Sequence, residues 1–254
     1  MKSIKTIQSV TNALSTARIS TYENAVGNTL DSSSALELYA WNAQVSGALL
    51  TPLHICEVVI RNAVSDALTS VYGDRWAWQQ GFERSLKNKG KYNPRQDLLR
   101  TRSNIQTIGK LIPEMKFVFW QKMFISHHDG RLWNQHLMQI FPNLDSTKSI
   151  AQLRTDIYNE LEEIRTLRNR IAHHEPIFTR NLENDFQKII NLVRFRCSST
   201  ADWLLINQQA LALIQSKPIK KSPAFTMRER LIKRRCKNLT SCVYGRLSVR
   251  NLRK

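Results

Sequence analysis

Residues 168–178, RNRIAHHEPIF, set an arginine five positions before a histidine, place an asparagine beside that arginine, and double the histidine at once. Arg168, Asn169 and His173 are groups that phosphodiester chemistry uses. Imidazole moves a proton near neutral pH, a guanidinium binds phosphate oxygens with a fork of N–H donors, and an amide orients its neighbours. RNA suits such a set, because its 2′-OH is a built-in nucleophile. A base and a charge stabiliser then suffice without metal, leaving a 2′,3′-cyclic phosphate and a 5′-OH. The same residues also make an ordinary polar helix end, with Arg and His favourably placed against the C-terminal dipole. Residue types alone leave both readings open.

The element that must carry these groups is STKSIAQLRTDIYNELEEIRTLRNRIAHH, a long amphipathic helix whose buried face is expected at Ile150, Leu153, Ile157, Leu161, Ile164, Leu167 and Ile171. Pro176 is expected to end it. Offsets of four put Arg165, Asn169 and His173 on one stripe, whereas Arg168 stands about 140° from His173 on an ideal helix. The two side chains should therefore flank a cleft. His173 and its neighbour His174 diverge by about 100° and cannot easily serve one phosphate together.

Upstream, DSSSALELYAWNAQVSGALL reads as a helix with serine caps, and TPLHICEVVIRNAVSDALTSVYG as a second, central one with Thr51 as cap, Pro52 in its first turn and Gly73 as stop. Residues 79–95 read as a basic loop able to lie near an anionic ligand, or simply a solvated one. Further helices are expected over 95–111, 114–126, 130–140, 181–197 and 200–215. Eight glycines and seven prolines in 254 residues leave long stretches of good helix formers, so the class is all-α. The organisation expected is a polar lead over 1–30, a helical domain over 31–216 and a basic extension over 217–254.

The net charge of +18 draws polyanions through long-range attraction and counterion release. Residues 217–254 hold 13 Lys and Arg against Glu229 alone, which accounts for +12 of it. Lys220, Lys221, Lys233, Arg234 and Arg235 are the candidate RNA-binding residues of this segment. Cys56, Cys197, Cys236 and Cys242 are scattered without a CxxC, which supports neither a disulfide framework nor a zinc site. His127, His128, Asp129 and His136 read as a solvated turn instead of metal ligands, so no metal or cofactor is expected. Trp76, Trp78, Phe117, Phe119, Trp120 and Trp133 read as core in preference to base-stacking groups. No apolar run approaches the ~20 residues of a membrane span and the N-terminus lacks a signal-peptide core, so a cytoplasmic protein is expected.

The Arg-Asn-x-x-x-His pattern followed by HEP resembles the Arg-x4–6-His motif of the HEPN superfamily, helical proteins many of which are metal-independent ribonucleases. More specifically, the chain looks like the Abi-like (abortive infection) family of bacterial HEPN proteins. ARISTYENAVGNTLDSSSALELYAWNAQVSGALLTPLHICEVVIRNAVSDALTSVYGDRW, PEMKFVFWQKMF, LWNQHLMQIFPN and LRNRIAHHEPIF are similar to family blocks in family order, over about residues 17–215. The resemblance implies a HEPN-like helical bundle with additional helices, catalytic roles for Arg168, Asn169 and His173 with His174 as the alternative histidine, and a homodimer whose two motifs face one cleft. It implies an endoribonuclease of antiphage defence acting on RNA, tRNA included, with an unknown neutralising or triggering partner. The alternative is a noncatalytic HEPN scaffold that binds RNA or protein. Arg61 and Asn62 are supporting candidates, although Glu57, four residues before Arg61, offers an ordinary ion pair. Arg165 is the third supporting residue. A related subgroup controlled by nucleotidylation carries a tyrosine two residues after the histidine. Glu175 stands there, so that control is not expected.

Overall fold

A computed structural model describes residues 4–27 and 32–218. Among the described residues there are helices and turns but no strand, as expected of an all-α chain. The chain divides into two compact units, the larger spanning Leu38–Lys217. The smaller includes α1 (Ile4–Leu14) and α2 (Thr16–Val26), two helices in the segment read from sequence as a polar lead. α2 ends at Gly27, whose φ of 83° is the left-handed conformation that closes the helix.

α3 (Ser32–Tyr72) is one helix of 41 residues where two were expected. Pro52 lies inside it and is buried, not at the start of a second helix. The missing N–H and the ring clash cost on the order of 3 kcal/mol. Against this, the buried stripe Trp41, Val45, Leu49, Leu53, Cys56 and Ile60 runs straight through the proline. Each large apolar side chain so buried contributes about 1.5–3 kcal/mol, and a break at Thr51 would have turned half of them away from the core. Gly73 stops the helix as expected, with φ 78° and its N–H on the Thr69 carbonyl.

By length and composition α3 is apolar enough to cross a membrane, a property hidden in the sequence because Asn42, Gln44, Ser46, Thr51, His54 and Glu57 divide it into short apolar runs. A core helix meets the same measure. Within the larger unit, α3 is tied by Trp41 Nε1 donating to the Leu213 carbonyl (2.7 Å), by Trp76 Nε1 donating to Ser65 (3.1 Å) and by an Arg196–Asp66 ion pair (2.6 Å).

A short 3-10 turn (Trp76–Trp78) leads into α4 (Gln80–Ser85), so of the expected basic loop Gln79 and 86–93 are irregular. α5 (Pro94–Arg102), α6 (Ile108–Glu114) and α7 (Phe117–Lys122) follow as three short helices in place of two long ones. A 3-10 turn (Ser126–His128) and a π-helical turn (Asp129–Trp133) then enter α8 (Asn134–Ile140). α9 (Ile150–Ala172) is the long helix, α10 (Leu182–Arg196) returns beside it, and α11 (Ser198–Ile206) and α12 (Ala210–Gln215) divide the single helix expected over 200–215. α9 packs against α7, α8 and α10, and α10 against α11 and α12.

Candidate active site at the end of α9

α9 starts on a capping box, with the Ser149 hydroxyl accepting from the Gln152 N–H and the Gln152 side chain accepting from the Ser149 N–H. Its apolar face is buried as expected at Leu153, Ile157, Leu161, Ile164, Leu167 and Ile171; Ile150, at the first turn, is only half-buried. With that face fixed inward, Arg168 is exposed and Arg165 and Asn169 are half-buried. Among the described residues, no hydrogen bond or ion pair occupies the side chains of Arg168, Asn169 or His173.

The helix does not run on to Pro176. His173 is its C-cap, with φ −93° and ψ 9° and its N–H on the Asn169 carbonyl (2.9 Å). His174 has φ 55°, in the left-handed region where glycine is usual. The His174 N–H donates to Ile171 O (3.0 Å) and the Glu175 N–H to Arg170 O (2.8 Å), the paired bonds of a Schellman closure. A β-carbon in that conformation costs about 1–2 kcal/mol. His173 and His174 are both exposed and, with the backbone reversing at His174, do not follow a common helical path.

Beyond the reversal the chain is held residue by residue. Arg170 Nε and Nη2 both donate to the Pro176 carbonyl (3.2 and 2.7 Å). The buried Ile177 N–H donates to Oδ1 of Asn42, itself buried on α3 (2.8 Å). The Lys217 ammonium donates to the Phe178 carbonyl (2.6 Å), and Arg180 makes a two-bond fork on the buried Asp185 (2.8 Å each). Asn42, Arg170 and Arg180 were not singled out from the sequence. A buried Asn on an otherwise apolar stripe, and a third polar side chain inside RNR, were the available signals.

The supporting candidates divide. Arg165 is ion-paired with Glu162, which also accepts from Gln121 of α7. Burial works against the Glu162 charge, but those two donors outweigh it and hold the carboxyl below its ordinary range. Arg165 thus holds Glu162, the side chain through which α9 meets Gln121 of α7. Arg61 pairs with Glu57 and donates to the Pro113 carbonyl (3.4 Å), the ordinary i,i+4 alternative foreseen for it, and Asn62 is exposed. Lys220, Lys221, Lys233, Arg234, Arg235, Cys236 and Cys242 lie outside the described residues.

The 126–133 segment is not a solvated turn. His128 is buried, and burial pushes its imidazole down to about 4, with His127, Arg131 and Lys87 adding to the effect. Asp129 is ion-paired with Arg154 (2.8 Å), and His127 Nε2 bonds the Ser85 carbonyl (2.9 Å). These turns lock α8 to α9. Trp76, Phe119, Trp120 and Trp133 are fully buried and Phe117 nearly so, whereas Trp78 is half-exposed under the Arg75 guanidinium (4.9 Å). Cys56 is buried and Cys197 half-buried, both as free thiols. A cavity of about 450 Å³ opens between α9 and α10, where burial lifts the Glu160 carboxyl to about 7.

A helical bundle whose 23-residue α9 ends in an Arg-Asn-x-x-x-His stretch fits an HEPN-class domain. The match to the RiboL-PSP-HEPN family model runs over residues 52–204, more than half of the chain, and the chain belongs to that family. No curated protein and no solved structure matches the chain.

Proposed function

We propose that the protein is a metal-independent endoribonuclease of the Abi-like type, acting in the cytoplasm in antiphage defence by abortive infection. The observation that carries this reading is the exposed pair Arg168 and His173, free of internal ion pairs, at the end of a helix whose following turn is fastened at Pro176, Ile177, Phe178 and Arg180. Membership of an HEPN family points the same way, toward RNase-type or RNA-binding work.

In the proposed reaction His173 takes the 2′-OH proton as the 2′-oxygen bonds to phosphorus. The P–O5′ bond breaks, and a second proton donor delivers a proton to the departing 5′-oxygen. Arg168 holds the non-bridging oxygens as negative charge builds on them, and Asn169 orients the phosphate or the histidine. The products are a 2′,3′-cyclic phosphate and a 5′-OH. His174 sits in the left-handed reversal and not on the helix, and the second donor is assigned to another copy of the chain across a dimer cleft. The openness of Arg168 and His173 on one copy suits a site completed that way. In this scheme the catalytic domain spans 31–216 and the extension 217–254 adds affinity for RNA, tRNA included.

His173→Ala and Arg168→Ala should each abolish cleavage of total RNA while far-ultraviolet circular dichroism stays that of the wild type. Equal cleavage by wild type and His173→Ala removes the assignment. Tight RNA binding with no turnover by any form moves the protein to the noncatalytic scaffold.

A further inference from the structure

The loop 86–93 and the start of α5 enclose a second concave surface, of about 540 Å³, that the chemistry above does not use. Its rim carries Lys89, Lys91, Arg100 and Lys116, all exposed, drawn from the loop, from α5 and from the residue before α7. One carboxylate, Asp97, answers the four cations. It is buried and already engaged: it accepts from the Tyr92 hydroxyl (2.7 Å) and pairs with Lys116 (3.0 Å) and Arg100 (3.5 Å). Asp97 therefore fixes the walls while leaving a surplus of positive charge. Among the described residues no carboxylate pairs with Lys89 or Lys91. Gly90 between them has φ 111°, a conformation that an L side chain rarely adopts, so the turn presenting the two lysines depends on that glycine.

The surface does not stop at this hollow. A cavity of about 660 Å³ shares Arg100 and adds Lys110 and Glu114 of α6, which prolongs the furrow along α5 with two cations against one carboxylate. In the other direction α5 packs on α7, and α7 packs on α9. There Lys122 donates to the Tyr158 hydroxyl (2.7 Å) and lies 5.1 Å from the centre of its ring. On α9 the offsets 158, 162, 165, 169 and 173 stay within about 80° of one another around the helix, so this stripe leads from Tyr158 to the catalytic turn. The distance along it is about 22 Å, the length of a few nucleotides of single strand.

We propose that the furrow framed by Lys89, Lys91, Arg100 and Lys116 binds phosphates of a single-stranded RNA substrate remote from the bond that is cut. This rests on the ribonuclease reading above and deepens it. The lysines act as mobile point charges, which suits backbone contact without sequence preference, and Asn88 and Gln96 on the same wall supply neutral donors, while Asn93 is spent on Asn88 and on capping α5. Substrate length, not base identity, is what such a furrow selects.

The test uses the full chain, with His173→Ala to prevent cleavage, and a 20-nucleotide single-stranded RNA followed by fluorescence anisotropy across a salt series. Adding Lys89→Ala and Lys91→Ala removes two phosphate contacts. The slope of log K against log salt should fall by about 1.4, and affinity at 0.1 M salt should weaken on the order of tenfold. In parallel, Lys89→Ala/Lys91→Ala in the otherwise native chain should raise KM for the same RNA and leave kcat in place. Unchanged slope and affinity, with cleavage intact in the native chain, overturns the furrow and spares the ribonuclease. No RNA binding by the His173→Ala chain, together with no cleavage by the native chain, overturns both. Binding to phosphatidylglycerol vesicles that the lysine changes abolish, with RNA affinity untouched, assigns the furrow to a membrane surface and also overturns the proposal.

Discussion

At the scale of single residues, the two adjacent histidines look equivalent in the sequence and are not equivalent in the fold. His173 caps α9 and His174 takes the left-handed conformation that reverses the chain. That distinction was out of reach of residue spacing, because the Schellman bonds that create it depend on where the helix stops. Pro176 suggested a stop, but the reversal comes two residues earlier. A consequence can be measured. His174→Gly and His174→Val both lose the imidazole, so whatever it touches cancels in the comparison. The valine variant should be less stable than the glycine variant by about 1–2 kcal/mol in urea unfolding, since only valine keeps the β-carbon in the unfavourable region. If His173 is the catalytic histidine, His174→Gly should also retain cleavage. Equal stabilities would deny the left-handed turn, and loss of cleavage in His174→Gly with the fold preserved would hand the catalytic role to His174.

At the scale of elements, amphipathic period made α9 and α10 legible, and the buried residues of α9 fall where its apolar stripe places them. Local signals failed where long-range packing decided. Thr51-Pro52 has the composition of a helix start, yet the stripe on either side belongs to one core and α3 continues through it. The polar HHDG segment has the composition of a solvated turn, yet the Arg154–Asp129 pair and the buried His128 fasten it to α9. The same long-range logic holds the site in place. Asn42, 135 residues from Ile177 in sequence, accepts from the buried Ile177 N–H and so joins the turn to α3. Asn42→Ala leaves that N–H without a partner in a dry position, at a cost of about 1–3 kcal/mol. Chemical unfolding should register this loss, and hydrogen exchange should quicken at residues 174, 175, 177 and 178 before it does in α9. A loss below about 0.5 kcal/mol would mean that the turn is held without Asn42.

At the scale of the whole molecule, composition announced a polyanion partner, and most of that charge lies in residues 217–254. The catalytic candidates lie elsewhere, in the unit Leu38–Lys217, where a smaller number of cations is arranged with more geometry: Arg168 beside the reversed turn, and Lys89, Lys91, Arg100 and Lys116 around a hollow. On the proposed reading, charge in the extension would raise the local concentration of RNA, whereas charge in the folded unit would decide where the strand lies. The account stands or falls on chemistry at the end of α9. The most direct measurement is cleavage of total RNA and tRNA in EDTA by the wild type beside Arg168→Ala/His173→Ala, with the product ends identified. Cyclic phosphate and 5′-OH ends, made in the presence of the chelator and lost in the double variant, are the expected result. Cleavage that EDTA abolishes, or that the double variant carries out as well as the wild type, would contradict it.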